Sequence, residues 1–413
     1  MLAAAFPAVV HAQTAPVSAG DEIARAVADS AAIADSLAAA GVPQRDIMDL
    51  VTQIIGRRKM EGEIAITPRP GLSVTLLPSI GYNPAYGAFI GVSAAVGGWL
   101  GDPKTTTTSQ ASAGASYSTT GQVSIQLKSD FFTPGNGWDL KGDWRYLDTS
   151  QPTYGIGPVI AGQPRYPMEF LLLRLYETVY RRIGKGPMYV GFGYHFNRYT
   201  NIVDTRADAG ESTPFTVYSL GYPTTTTASG VSANVLYETR DNTINASRGV
   251  YWNSSLRFYN QGLGSDADWQ MMWSDLRAYH HLPGNSRNTL AIWNYMWFTF
   301  GRAPYLDLPS VGWDTYGRSG RGYIQGRIRG PSQIYTEGEY RMVLTKDGLL
   351  GAVGFVNLMA TTIASGQFAP LDPGGGVGAR VKFNKRTNTN LTVDSAWGQH
   401  QKHTWFFGMQ EVF

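Results

Sequence analysis

Met188-Tyr189-Val190-Gly191-Phe192-Gly193-Tyr194-His195-Phe196-Asn197-Arg198 decides how the rest of the chain is read. Val190, Phe192, Tyr194 and Phe196 fall on one side, and Gly191, Gly193, His195 and Asn197 on the other. Successive side chains of a strand point to opposite faces, so this stretch has one greasy and one polar face. The same period of two recurs further along the chain. Val250, Trp252, Leu256 and Phe258 oppose Tyr251, Asn253, Ser255, Arg257 and Tyr259; Leu391, Val393 and Trp397 oppose Asn390, Thr392 and Asp394. A soluble sandwich also alternates, with its greasy face packed in a closed core. Here the strands run to about ten residues, which suits a tilted crossing of a ~30 Å hydrocarbon layer.

Composition points the same way. The 413 residues include 48 Gly, 23 Tyr and 11 Trp, yet only 16% are charged. Mean hydropathy is −0.19, the mild average expected where lipid-facing and lumen-facing residues alternate. No stretch approaches the ~20 apolar residues of a membrane helix. A net charge of +3 gives no reason to invoke nucleic acid. The absence of cysteine suits an oxidising compartment. Trp138, Trp144, Tyr146, Tyr251, Trp252, Trp293, Trp297 and Trp405 lie near strand ends, as interfacial girdles do.

About sixteen strands are expected, from 70–80 to 403–413, with twelve to fourteen as the lower count. The fold class is therefore all-β: a transmembrane antiparallel β-barrel with a short α-helical N-terminal extension. Lys346-Asp347-Gly348 and Lys385-Arg386-Thr387 read as tight turns, whereas 149–167, 199–229 and 301–333 read as long loops. Short turns at one end and long loops at the other are the usual barrel asymmetry.

Met1 to Ala12 reads as a secretory signal, without the usual basic start, cleaved before Gln13. Residues 13–61 form the helical segment, expected in the periplasm, and 62–413 the barrel. Ile47, Leu50, Val51, Ile54 and Ile55 share one helical face. Arg57, Arg58 and Lys59 follow as a basic cluster. Such a stripe either lies on an anionic membrane surface or packs against protein; periodicity does not separate the two.

Gly317-Arg318-Ser319-Gly320-Arg321-Gly322-Tyr323-Ile324-Gln325-Gly326-Arg327-Ile328-Arg329-Gly330 has five Gly, four Arg and no acid. With Glu337-Gly338-Glu339-Tyr340-Arg341 after it, this stretch resembles the BamA/TamA-like outer-membrane proteins, the bacterial surface antigen family. Further landmarks follow in family order: Pro78-Ser79-Ile80-Gly81-Tyr82-Asn83-Pro84, Asp130-Phe131-Phe132, Tyr154-Gly155-Ile156-Gly157, and Glu238-Thr239-Arg240-Asp241-Asn242 with Arg248-Gly249. The resemblance covers roughly residues 72 to 413 and implies that 317–330 folds back into the lumen, carrying Arg321, Gly322, Tyr323, Gly326, Arg327 and Arg329. Phe413 would be the C-terminal assembly signal.

In that family the loop arginine meets an acid in a Phe-x-Asp-x-Gly pattern. Here the matching residues are Phe355-Val356-Asn357-Leu358-Met359, with Asn357 in place of the acid and Met359 in place of the glycine. Asn cannot neutralise a guanidinium, and an unpaired buried charge is very costly. Glu337, Glu339 and Glu238, beside Asn357, are the candidate partners of the loop arginines.

The resemblance implies a short, POTRA-less integral protein of the bacterial outer membrane. It would assist insertion or translocation of protein or lipid through a weak seam between the first and last strands. Its partners would be phospholipid and lipopolysaccharide, another outer-membrane protein, or a second copy of itself as a homodimer. The alternative is a passive porin-like channel or a structural subunit. No cofactor, metal or catalytic residue is implied. His280 and His281 are adjacent in a strand and point to opposite faces. The sequence contains no Gly-x-Ser-x-Gly, phosphate loop or dinucleotide fingerprint.

Overall fold

The computed structural model describes residues 44–54, 70–83, 87–282, 287–385, 387–400 and 403–413. The signal at 1–12, the helical stretch before residue 44 and the basic cluster Arg57-Arg58-Lys59 lie outside them. The strands are β1 (Gly71–Asn83), β2 (Gly87–Trp99), β3 (Ser109–Ser118), β4 (Val123–Phe132), β5 (Trp138–Thr153), β6 (Tyr166–Arg182), β7 (Met188–Asp204) and β8 (Thr226–Glu238). They continue as β9 (Gly249–Tyr259), β10 (Trp269–His281), β11 (Thr289–Gly301), β12 (Ser332–Val343), β13 (Leu350–Thr361), β14 (Asp372–Asn384), β15 (Thr389–Gly398) and β16 (Thr404–Met409). Each pairs with its sequence neighbour in one 16-stranded sheet, antiparallel throughout. That is the number read from the alternation.

The two faces separate as the period of two requires. On β7, Val190, Phe192 and Tyr194 are exposed outward while Tyr189, His195, Asn197 and Tyr199 are buried. Leu72, Val74 and Leu76 on β1 and Trp405 and Phe407 on β16 continue the apolar outer surface. Trp138, Trp144, Tyr146, Trp252 and Trp405 face outward, but Tyr251, Trp293 and Trp297 do not belong to a girdle. They share strand parity with Asn253, Ala291 and Tyr295 and are buried inside. Position near a strand end sets height, whereas parity sets face.

Much of the barrel interior is packed protein. The β11–β12 connection, 302–331, turns inward, and its Tyr305, Leu308, Val311, Trp313 and Ile328 join Phe170, Tyr199, Phe215 and Trp293 in one apolar cluster. Two short helices in the β7–β8 connection, α2 (Thr205–Asp208) and α3 (Pro214–Ser219), supply Phe215. Its ring lies edge-on to Tyr305 at 5.6 Å. The opposite end carries the short turns and is closed by the 239–248 turn. There Thr243 donates to Thr108 O at 2.9 Å, and Asn388 donates to Asn245 O at 3.1 Å.

One helix of the N-terminal segment is described, α1 (Ile47–Ile54). Asp46 caps it: the Asp49 N–H donates to Asp46 Oδ1 at 3.1 Å and the Asp46 N–H to Asp49 Oδ2 at 3.0 Å. The capped end is fixed to the short-turn end of the barrel. Lys385 N donates to Asp46 Oδ2 at 3.1 Å, Lys385 Nζ pairs with Asp49 at 3.0 Å, and Arg45 N donates to Asp347 O at 3.1 Å. The start of this helix therefore packs on protein.

The last strand is shorter than the sequence suggests. It stops at Met409, Gln410 takes φ 75, and Glu411, Val412 and Phe413 turn into the lumen, where they are buried. Among the described residues β16 pairs only with β15, and β1 only with β2. Among the described residues the sheet therefore has two edges without a partner, β1 and β16, and any seam of the barrel lies at these edges.

Candidate functional site

The site is built from the inward loop, the inner wall of β12–β15 and the tail after β16. The loop needs its glycines. Gly322 sits at φ +105, and a Cβ there would lie 2.5 Å from Trp397 O. At Gly320, φ +74, a Cβ would run into the Val311 side chain. Only residues without a Cβ reach such conformations this close to other backbone. The loop is therefore pressed against β15 and folded on itself at the point where Arg321 projects.

Arg321 is almost fully buried, and the register of the wall explains its partners. Glu337 on β12 pairs with Asn357 on β13, and Glu339 and Arg341 follow Glu337 on the same inner face. Arg321 Nη2 donates to Glu337 Oε1 at 2.5 Å and to Glu339 Oε2; its Nη1 donates to Asp394 Oδ2 on β15 at 2.8 Å. Its guanidinium lies 3.4 Å from the centre of the Phe355 ring. Two of the three sequence candidates, Glu337 and Glu339, thus meet Arg321. Glu238 does not: it binds Arg240, two residues away on its own inner face, with Arg240 Nη2 at 2.5 Å.

Asn357 takes part as a donor. Its Nδ2 donates to Arg321 O at 2.9 Å and to Glu337 Oε2 at 3.4 Å. The third acid on Arg321 is Asp394, which alternation had placed on the polar face of its strand without naming it a partner. The network extends beyond it. Arg380 on β14 bonds Asp394 Oδ1 at 2.6 Å and Glu411 Oε2 at 2.8 Å; Arg341 bonds Glu339 Oε1 at 2.6 Å and the Phe413 main-chain oxygen at 2.8 Å. Three guanidiniums face four carboxylates, so each of these buried guanidiniums has an acid partner, and Glu337 is further held by the neutral donors Tyr335 OH and Asn357 Nδ2. Burial pushes the Glu411 carboxyl up, but Arg380 and Arg341 outweigh it and hold it below the usual carboxylate range. Phe413 packs on Trp293 at 5.3 Å.

The other loop residues anchor it elsewhere. Tyr323 OH donates to Pro373 O at 2.5 Å and accepts from Gln399 N at 3.0 Å; burial pushes its phenol up to about 12. Arg327 donates to Gln163 Oε1 at 2.7 Å and stacks on Tyr154 at 4.0 Å. Arg329 donates to Tyr305 O at 2.8 Å. Gly326, φ +80, lies against Gln151. Arg318, not singled out from sequence, reaches the last strand: it donates to Met409 O at 2.7 Å and to Glu411 O. The loop therefore holds the inner side of the seam. Asp307, in the same connection, accepts from Asn197 Nδ2 at 2.6 Å, and burial pushes its carboxyl up to about 6. Among the described residues no group of three His, Cys, Asp or Glu could hold a metal ion.

No family model matches the chain, and no curated protein matches it. Solved structures do. BamA from Haemophilus ducreyi lacking POTRA domains 1–3 matches with a TM-score of 0.51 at 14% identity, over 83% of this chain and 70% of that one. CdiB from Acinetobacter baumannii matches with a TM-score of 0.51 at 11% identity, over 82% of this chain and 59% of that one. At these identities the likeness is one of fold. The fold shared with both is the antiparallel β-barrel of outer-membrane proteins.

Proposed function

We propose that this chain resides in the bacterial outer membrane, with α1 on the periplasmic side, and assists insertion or translocation of protein or lipid at its seam. The observation that carries this reading is that β1 and β16 are edges without a partner among the described residues. An unpaired edge presents free N–H and C=O groups and is normally covered or blunted. In hydrocarbon such groups cost several kcal/mol each unless satisfied, so an edge left open is a template for an incoming strand or a passage for a lipid. Work of this kind draws on folding and binding energy, and no metal, cofactor or catalytic group enters it. Phospholipid and lipopolysaccharide are the natural surroundings, and the likeness to BamA and CdiB agrees in fold.

The test is the folding of a urea-denatured small barrel protein into vesicles containing the purified chain. Folding is expected to be faster than into empty vesicles. A bis-maleimide joining Val74→Cys to Phe407→Cys, one on each edge, is expected to abolish the gain. Equal folding rates with and without the chain would sink the proposal.

A second reading, a structural subunit of a larger or dimeric complex, draws on the ionic network that ties the loop to β12, β15 and the tail. Such a network fixes one arrangement rather than allowing several. A dimeric mass in detergent without any folding gain would favour it. The porin-like alternative fits poorly with a lumen filled by 302–331.

A further inference from the structure

Between the inward loop and the seam lies a cavity of about 840 Å³, within the roughly 300–1,000 Å³ of small-molecule sites. Its walls differ in chemistry. Leu147, Trp313 and Ile324 form an apolar side, while Ser116, Gln126 and Lys128 form a polar one. Its boundary at β16 is unusual. Phe406 lines it from the inner face of that strand, and Trp405 and Phe407, which point outward, line it as well. A space bordered by both faces of one strand passes around that strand's edge. Since β16 has no partner on that side among the described residues, the cavity opens onto the apolar outer surface.

Lys128 is the cation left over in this chamber. Its ammonium lies 5.4 Å from the centre of the Tyr316 ring, and it makes no ion pair among the described residues. Asp143, opposite Lys128 on β5, is engaged by Arg145 at 2.7 Å, and Asp314 by the loop N–H groups of Arg318 and Ser319 at 2.9 and 2.7 Å. Asp148, the acid in the cavity lining, is exposed and shares the outward parity of Trp144 and Tyr146. A lysine with no ion-pair partner among the described residues, in a half-apolar chamber, suits an anion that brings its own hydrocarbon and favours the charged amine.

We propose that this chamber binds an anionic amphiphile drawn from the surrounding bilayer, its acyl chain against Leu147, Trp313 and Ile324 and its anionic headgroup at Lys128. The route is the gap at β16. This binding does not depend on insertion activity: a chain that binds the amphiphile without speeding folding leaves this site standing and removes only the function proposed above.

The natural chain has no cysteine, so single labels report cleanly. Ser116→Cys and Ser112→Cys, four residues apart on the inner face of β3, each receive an NBD fluorophore; only Ser116 lines the cavity. The variants are folded into vesicles carrying phosphatidylglycerol with a nitroxide on its acyl chain, and folding is checked by heat-dependent gel migration. Quenching at 116 is expected to exceed that at 112, and to be stronger with phosphatidylglycerol than with nitroxide-labelled phosphatidylcholine. Lys128→Gln is expected to cost about tenfold in that preference, the worth of one charge-assisted contact. Equal quenching at 116 and 112 would overturn the chamber. Equal quenching by the two lipids in the unsubstituted background would overturn the anionic assignment.

Discussion

Arg321 on the inward loop reaches Asp394 on β15 at 2.8 Å, 73 residues further along the chain. That ion pair joins the loop to the last pair of strands, and through Arg380 to the tail that ends beside Trp293. Removing one partner of a buried ion pair typically costs about 3–5 kcal/mol, because the other charge stays buried alone. Arg321→Ala leaves Glu337, Glu339 and Asp394 without their shared cation. It is expected to lower the urea midpoint by a stability loss of that order. An unchanged midpoint would mean the network contributes nothing to holding the loop.

Asn357 separates two accounts of the loop. The family pattern places an acid at this position, so a view from resemblance treats Asn357→Asp as harmless. In this chain Asn357 donates to Arg321 O and to Glu337. An Asp there loses both donations and sets another carboxylate beside Glu337, and like charges in a shared site disfavour ionisation. The expected result is a destabilisation of about 1–3 kcal/mol, seen as a lower melting temperature in detergent. A melting temperature at or above that of the unsubstituted chain would contradict the network as described.

Asp307 gives the barrel a pH dependence of known sign. Burial lifts its carboxyl to about 6 from an ordinary 3.8. The folded state therefore holds a proton that the unfolded state has released, and stability declines as pH rises from about 4 through 6. The decline is on the order of 3 kcal/mol, from 1.36 kcal/mol per unit. Asp307→Asn removes a charge that burial disfavours. It is expected to reduce the slope in this part of the stability curve and to raise the urea midpoint at pH 8, and a slope between pH 4 and 7 left unchanged by the substitution would assign it to another group.

Arg318 donates to the carbonyls of Met409 and Glu411, so Arg318→Ala frees the inner side of β16. The expected outcome is local: faster hydrogen exchange over 404–413 with little change over β6 and β7. Exchange in β16 that stays at its original rate would show that the loop does not brace the seam.

Much of this architecture was legible because strand alternation is a local signal. The sixteen strands, the outward face of β7 and the inner position of Asp394 all follow from parity. The inward fold of the Arg-Gly loop was accessible only through the family resemblance, and its contacts with Glu337 and Glu339 through their position just after the loop. What escaped depended on closure of the sheet. Asp394 meets Arg321 only because β12 and β15 curve round the same loop, and no spacing in the sequence encodes that approach. Trp293 and Trp297 were misplaced because height along a strand was read without parity. The tail at 411–413 was read as strand because Phe413 suits a strand end; its inward turn rests on Gln410 and on partners far away in the chain, Arg341 and Arg380.

The central claim is that the interior is occupied by the 302–331 connection and the tail, leaving the seam as the place where the protein acts. Single-channel recording of the purified, folded chain in planar bilayers tests it most directly. A filled lumen predicts electrical silence, broken at most by brief openings. A large, steady conductance would mean an open pore through the barrel and would contradict the account.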